Sequence, residues 1–307
     1  MMSASTQISG VRELRRIMKE KPEETGTVVL RAFWEQRMQE VRRSHGEGAG
    51  GLEVARAIAA TMEAVVLGAY ENVRGQEPGG SYALVSTGGF GRGEMAPGSD
   101  VDLLFLFAKE KDKAPDFIAG VLHPLWDLGF DIGHSSRTLS ETTKMARQDL
   151  ESCTAMMDSC FLAGDRELFD DFQDRLYKRM PKGVVSKLQK WRQVRQQKNG
   201  SVQLLEPDLK ESPGGLREFH TLDWALKGQG KRSEVEELRR QYLDEEDIAT
   251  LDRGRAFLWR VRHELHFVVG RRHDKLQHDI KPDIARGLGY EDRGNELAVE
   301  RFMQDYY

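Results

Sequence analysis

Two apolar runs separated by a glycine-rich turn constrain this chain more than any other feature. Tyr82-Ala-Leu-Val85 leads into Ser86-Thr-Gly-Gly-Phe-Gly-Arg-Gly-Glu-Met-Ala-Pro-Gly-Ser-Asp-Val-Asp102, and Leu103-Leu-Phe-Leu-Phe107 follows at once. Short apolar runs bounded by turn signals read as strands, so a strand–turn–strand unit is expected here. Alternation along the second strand puts Asp100 and Asp102 on one face, with Val101, Leu103 and Phe105 on the other. Two neighbouring carboxylates repel unless a cation lies between them. Glycines let backbone N–H groups approach a phosphate closely. The pattern predicts a site for a nucleoside triphosphate with a divalent metal, Asp100 and Asp102 being the ligands.

The turn is neither a P-loop, since no Gly-Lys-Ser/Thr closes it, nor a dinucleotide fingerprint, since a strand follows where a helix is required. Gly88 and Gly89 are the candidate phosphate-facing positions. Arg92 either contacts phosphate or pairs with Glu94. Ser99 is either a turn former or a phosphate donor. A third carboxylate should come from a neighbouring strand, and Asp131 in Phe130-Asp-Ile-Gly-His is best placed, the alternative being a solvated strand acid. Asp127 suits a helix end better.

The remainder of the chain is patterned for helix. Three amphipathic stretches precede the turn, at about 11–18, 27–38 and 52–72, with a glycine-rich break at Gly46–Gly51. A helix at about 115–128 and a short strand at 130–136 complete a small mixed sheet of three strands. From Ser140, the expected N-cap, a helix should run to about Leu162. Further helices are expected at about 166–180, 183–198, 215–228, 233–241 and 246–270. The organisation predicted is α+β: an N-terminal helical segment (1–75), an α/β core (76–140) and a helical domain (141–307).

Within that helical part the loop Leu204-Leu-Glu-Pro-Asp-Leu-Lys-Glu-Ser-Pro-Gly-Gly215 must be shaped by its prolines and glycines. Lys210 and Arg217 flank its end, either as an anion or nucleotide edge or beside a purely structural turn. His263, His266, His273 and His278 are better explained as solvated or capping groups than as metal ligands.

Composition sets the class of partner. The 307 residues carry a formal charge of −4, so no global basic field argues for nucleic acid. No apolar run approaches the roughly 20 residues of a membrane span, and the N-terminus lacks a signal-peptide core. Cys153 and Cys160 fall on one expected helical face, two turns or ~10 Å apart, too far for a disulfide. Buried free thiols in the cytoplasm are the expectation.

These residues resemble the nucleotidyltransferase part of the bacterial PII uridylyltransferase/uridylyl-removing enzymes, within the polymerase-β-like superfamily. The resemblance rests on Gly88–Asp102, Leu125–Arg137, Leu162–Asp165, Glu206–Arg217, Phe257–Arg262 and Ala298–Met303. It implies a polymerase-β-like lobe followed by a helical domain, Mg²⁺ on Asp100 and Asp102, and Gly88 and Gly89 against the triphosphate. Asp131 is the implied third carboxylate. The implied reaction transfers UMP from UTP to a tyrosine of a PII signalling protein and releases pyrophosphate. Members of the family continue into an HD hydrolase domain and paired ACT domains; this chain stops at Tyr307, so UMP removal and glutamine sensing are expected to be absent. Two rivals stand beside this reading: a related nucleotidyltransferase with another nucleotide or acceptor, such as an adenylyl donor, and a non-catalytic nucleotide- or PII-binding module.

Overall fold

The computed structural model describes residues 4–20, 26–199, 205–229 and 235–307. Three long helices come first: α1 (Ala4–Glu20), α2 (Gly26–Gly46) and α3 (Gly51–Glu71). The strands and helices of the α/β part follow as β1 (Tyr82–Ser86), α4 (Gly88–Gly91), β2 (Val101–Phe107), α5 (Pro115–Asp127), β3 (Ile132–Thr138), α6 (Leu139–Gln148), α7 (Leu150–Met157), β4 (Cys160–Gly164) and α8 (Arg166–Lys178). The rest is helical: α9 (Val184–Asn199), α10 (Leu216–Lys227), α11 (Val235–Tyr242), α12 (Glu245–Val269), α13 (Lys281–Gly287) and α14 (Ala298–Tyr306).

By its contacts the chain divides into two units. The first comprises residues up to Glu40, Arg56–Met95 and Ser99–Lys182; the second comprises Val41–Ala55, Ala96–Gly98 and Gly183–Tyr307.

The first unit is built on a four-stranded mixed sheet in the order β3-β2-β1-β4. β1 is antiparallel to both β2 and β4, and β2 runs parallel to β3. Of the seven residues of β2, only Asp102 is not fully buried, so both faces of this central strand are covered. That is why its sequence is a continuous apolar run rather than an alternation. Phe117 of α5 meets Tyr82 edge-on at 5.1 Å and Phe105 at 6.4 Å between ring centroids, anchoring the helix to the sheet. Each such fully buried aromatic contributes on the order of 1.5–3 kcal/mol.

Three local expectations are corrected. The helix after β3 is capped by Thr138 rather than Ser140: Thr138 and Glu141 form a reciprocal capping box. Bonded first to the Thr138 N–H, with Lys113 adding to the effect, the Glu141 carboxyl sits below its ordinary pKa range. The helix expected to reach Leu162 ends at Met157, and 160–164 forms β4, a fourth strand. Consequently Cys153 is buried on α7 while Cys160 is exposed on β4, both free, instead of sharing a helical face.

The second unit has its own core, with Trp259, Leu265, Leu276, Ile284 and Phe302 almost wholly buried around α12. His263 and His266 are buried here, not solvated. His263 Nε2 lies 2.9 Å from the Gly51 carbonyl, and His266 Nδ1 accepts from Gly98 N–H at 3.1 Å. Among the described residues no helix is long and apolar enough to cross a membrane.

Candidate active site

The glycine turn is a single helical turn, α4, at the end of β1. Gly91 N–H donates to Thr87 O and Arg92 N–H to Gly88 O, each at 3.0 Å. As at any helix start, the first N–H groups have no partner within the helix. Gly88 sits at φ +59°, a region that glycine enters freely. Gly91 is required by proximity: a Cβ there would lie 2.8 Å from Ser86 O and run into the Asp158 carbonyl.

Beneath this turn the sheet delivers the carboxylates. Asp100 immediately precedes β2 and Asp102 is its second residue; both are half-buried. Thr87 N–H donates to the Asp102 carbonyl at 3.0 Å, which ties the turn to the strand. Parallel pairing sets Asp102 opposite Gly133, and Val101 N–H donates to Asp131 O at 2.9 Å. Asp131 is therefore held across from the start of β2, exposed, one residue before β3.

Two glycines make room for the Asp102 carboxylate. A Cβ on Gly88 would lie 3.0 Å from Oδ2, and a Cβ on Gly133 would collide with Oδ1. Gly133 escapes a reading of the sequence because only strand register brings it to Asp102. Its one visible signal is its place two residues after Asp131.

Arg92 serves the turn from below. Its Nη1 donates to Asp158 at 2.6 Å and its Nε lies 3.6 Å from Glu94, in a pocket where the Asp158 side chain is fully buried. Of the two roles open to Arg92, pairing with Glu94 is present, and Asp158 is a stronger partner that the sequence does not reveal. Ser99 is half-buried in the extended stretch that leads into Asp100.

Lys210 and Arg217 belong to the second unit. Arg217 donates to Glu211 through Nε at 3.2 Å and Nη2 at 2.9 Å, and its guanidinium lies 5.5 Å from the Trp224 ring centre. Arg195 also pairs with Glu211, at 2.7 Å. Burial would raise the Glu211 pKa, but the two arginines hold it below its ordinary value. Asp208 caps the loop by accepting from Lys210 N–H and Glu211 N–H at 2.8 and 2.7 Å, and Lys210 O accepts from Arg217 N–H.

Among the described residues no three His, Cys, Asp or Glu side chains converge closely enough to hold a metal ion by themselves. Asp100 and Asp102 are a two-carboxylate set. That suits Mg²⁺, which takes one or two carboxylates and completes its shell with water and substrate phosphates.

Comparison with known proteins gives this arrangement a class. Residues 72–195, which hold the whole sheet and both aspartates, match the nucleotidyltransferase domain family, so the chain carries a nucleotidyltransferase catalytic domain. Residues 183–307 match the family described as GlnD PII-uridylyltransferase, and the chain belongs with the nucleotidyltransferase part of that family. It is 37% identical over 274 residues to the bifunctional uridylyltransferase/uridylyl-removing enzyme of Phenylobacterium zucineum, covering 85% of this chain and 29% of the relative. The enzyme of the same name from Caulobacter vibrioides is 35% identical over the same shares. That of a Bradyrhizobium species is 39% identical over 76% of this chain and 26% of its own length. The chain thus spans less than a third of the length of these relatives.

Proposed function

We propose that this chain transfers UMP from UTP to a tyrosine hydroxyl of a PII signalling protein, releasing pyrophosphate. The observation that carries the reading is the Asp102 carboxylate lodged between Gly88 and Gly133 on β2, with Asp100 immediately before that strand. The names of the relatives support the uridylyl group, and the description of the matched family supports a PII protein as acceptor.

In this reading Asp100 and Asp102 hold Mg²⁺, which when bound supplies positive charge to the α-phosphoryl group as it is transferred. Gly88 and Gly89 leave the backbone of α4 open to the triphosphate, with Ser99 as a further hydrogen-bond donor. Arg92 fixes the turn through Asp158 and Glu94. Asp131 takes the third-carboxylate position, opposite Asp100, where a carboxylate can also draw the proton from the incoming phenol. A free tyrosine hydroxyl, with pKa near 10, is a weak nucleophile at neutral pH and needs such help. Its oxygen bonds to the α-phosphorus as the bond to pyrophosphate breaks. Lys210 and Arg217 stand as the further candidates for a nucleotide edge that the Arg217→Gln variant tests, and UTP comes from the cytoplasm.

The test is a mass-shift assay with PII protein, Mg²⁺ and each of the four nucleoside triphosphates in turn. A uridylyl increment on a tyrosine, lost in Asp100→Asn and Asp102→Asn with unchanged circular dichroism, is the expected result. Transfer of AMP but not UMP would overturn the uridylyl assignment. Undiminished transfer by Asp102→Asn would overturn the metal assignment.

A further inference from the structure

The second unit holds a cavity of about 230 Å³ with an unusual lining of charge. It is several times the ~30 Å³ that a water takes in the liquid, yet smaller than a drug-sized pocket. Phe257, Arg260, Tyr290, Glu291, Arg293 and Arg301 surround it, so three arginines face one glutamate. Elsewhere in this unit inward-facing arginines are matched to carboxylates: Arg239 and Arg255 to Asp223, and Arg262 to Asp274.

Here they are not. Arg260 Nη2 donates to the Leu288 carbonyl, at 3.4 Å, and Arg301 Nη1 to the Glu291 carbonyl, at 2.9 Å. Arg260 Nε is buried with no hydrogen-bond partner among the described residues. Among the described residues, no carboxylate pairs with Arg260, Arg293 or Arg301. The nearby Asp305 carboxylate is engaged by the Tyr290 hydroxyl, which donates to it at 2.6 Å. Burial and that bond push the Tyr290 phenol up to about 12, so it keeps its proton and its hold on Asp305.

A buried guanidinium donor without an acceptor is costly, and arginine keeps its charge under all ordinary conditions. A planar fork of N–H donors matches the oxygens of a carboxylate or phosphate. We propose that this cavity is an oxyanion-binding site that takes the phosphoryl or carboxylate group of a small ligand, held by Arg260, Arg293 and Arg301. None of these lining residues belongs to the carboxylate set on the sheet or to the loop of Lys210 and Arg217, so the proposal goes beyond the transfer reaction.

Isothermal titration of the whole chain tests this, with inorganic phosphate, pyrophosphate and succinate as probes. Prior removal of divalent metal from protein and buffer on a chelating resin prevents metal-dependent uptake by Asp100 and Asp102. Saturable binding of at least one probe is expected, weakened about tenfold or more by Arg260→Gln and by Arg293→Gln, as for loss of a charge-assisted hydrogen bond. Binding of phosphate and pyrophosphate without succinate assigns the site to phosphoryl groups, and the reverse assigns it to carboxylates. Arg293→Gln disturbs no side-chain hydrogen bond, so it keeps the test decisive if Arg260→Gln unfolds. No saturable heat with any probe, or an affinity unchanged by the folded variants, would overturn the proposal.

Discussion

Two glycine-bearing loops, one in each unit, look alike in sequence and are built for different ends. In the turn Gly88–Gly93 one of the glycines, Gly88, keeps a side chain away from the half-buried carboxylate of Asp102. In the loop 205–216 they serve the backbone itself: a Cβ on Gly215 would crowd the carbonyls of Leu209, Ser212 and Lys210 at 2.9–3.0 Å. Their charges differ in the same way. Arg92 is mostly buried and pinned to a fully buried acid, whereas Arg217 shares the partly exposed Glu211 with Arg195. A loop that clears space around an acid is equipped to meet a ligand. A loop that satisfies its own charges and carbonyls is equipped to hold its shape.

The largest expected effect falls on the buried pair. Arg92→Met leaves Asp158, with no solvent exposure, without its cation and should destabilise the first unit by roughly 3–5 kcal/mol. A urea titration followed by far-ultraviolet circular dichroism would measure it. A loss under 1 kcal/mol would mean that Arg92 is not the keystone of the turn, and would return it to the pool of phosphate ligands.

Next comes Gly133→Ala. Position 133 is exposed on the edge strand β3, so stability should change little, but the new methyl must displace the Asp102 carboxylate. A displacement of this kind is worth about 10²-fold in turnover. The matched change in the other loop, Gly215→Ala, should do the reverse: it should lower the melting temperature through overpacking of about 1–3 kcal/mol and leave turnover per folded molecule intact. If both variants lost turnover equally, the two loops would have the same purpose and the contrast would fail.

Acid should separate the units next. Burial pushes His263 well below its ordinary pKa and lowers His266 as well, although Asp274 pulls the latter upward. Below about pH 6.5 the unfolded chain binds protons that these buried rings refuse, so the second unit loses stability as pH falls, by at most ~1.4 kcal/mol per ring and pH unit. In the first unit the shifted acids Asp149, Asp165 and Glu141 are held low by Ser152, Ser81 and Thr138 respectively. Their contribution is present above the unfolded carboxylate pKa of about 4 and is lost only as pH falls through their lower folded values. Hydrogen exchange corrected for intrinsic rate should therefore show protection falling in 256–270 between pH 7 and 5.5 while 101–107 holds. Equal losses in both would break the comparison.

What the sequence reveals follows the same division between local and distant causes. Asp100, Asp102 and the strands around the turn were legible because period, apolar run and turn chemistry lie within about twenty residues. β4 was not: Cys160-Phe-Leu-Ala-Gly164 is a five-residue apolar run, too short for periodicity to separate strand from helix, and its pairing with β1 decides. The carboxylate that anchors Arg92 stands 66 residues away, in a segment patterned as helix. Gly133 acquires its role only when the register of β2 and β3 is known.

The smallest expected effect is also the sharpest test of the second loop. Arg217→Gln leaves Glu211 its bond to Arg195 in a partly exposed setting, so the stability cost should stay within about 1 kcal/mol. A structural loop then predicts an unchanged KM for UTP. A loop that also forms a nucleotide edge predicts a KM raised severalfold with kcat nearly unaltered, because a contact made equally to substrate and transition state changes binding alone. That split, measured beside a melting curve, decides whether the charges of this loop are spent wholly on each other or are also shared with the nucleotide.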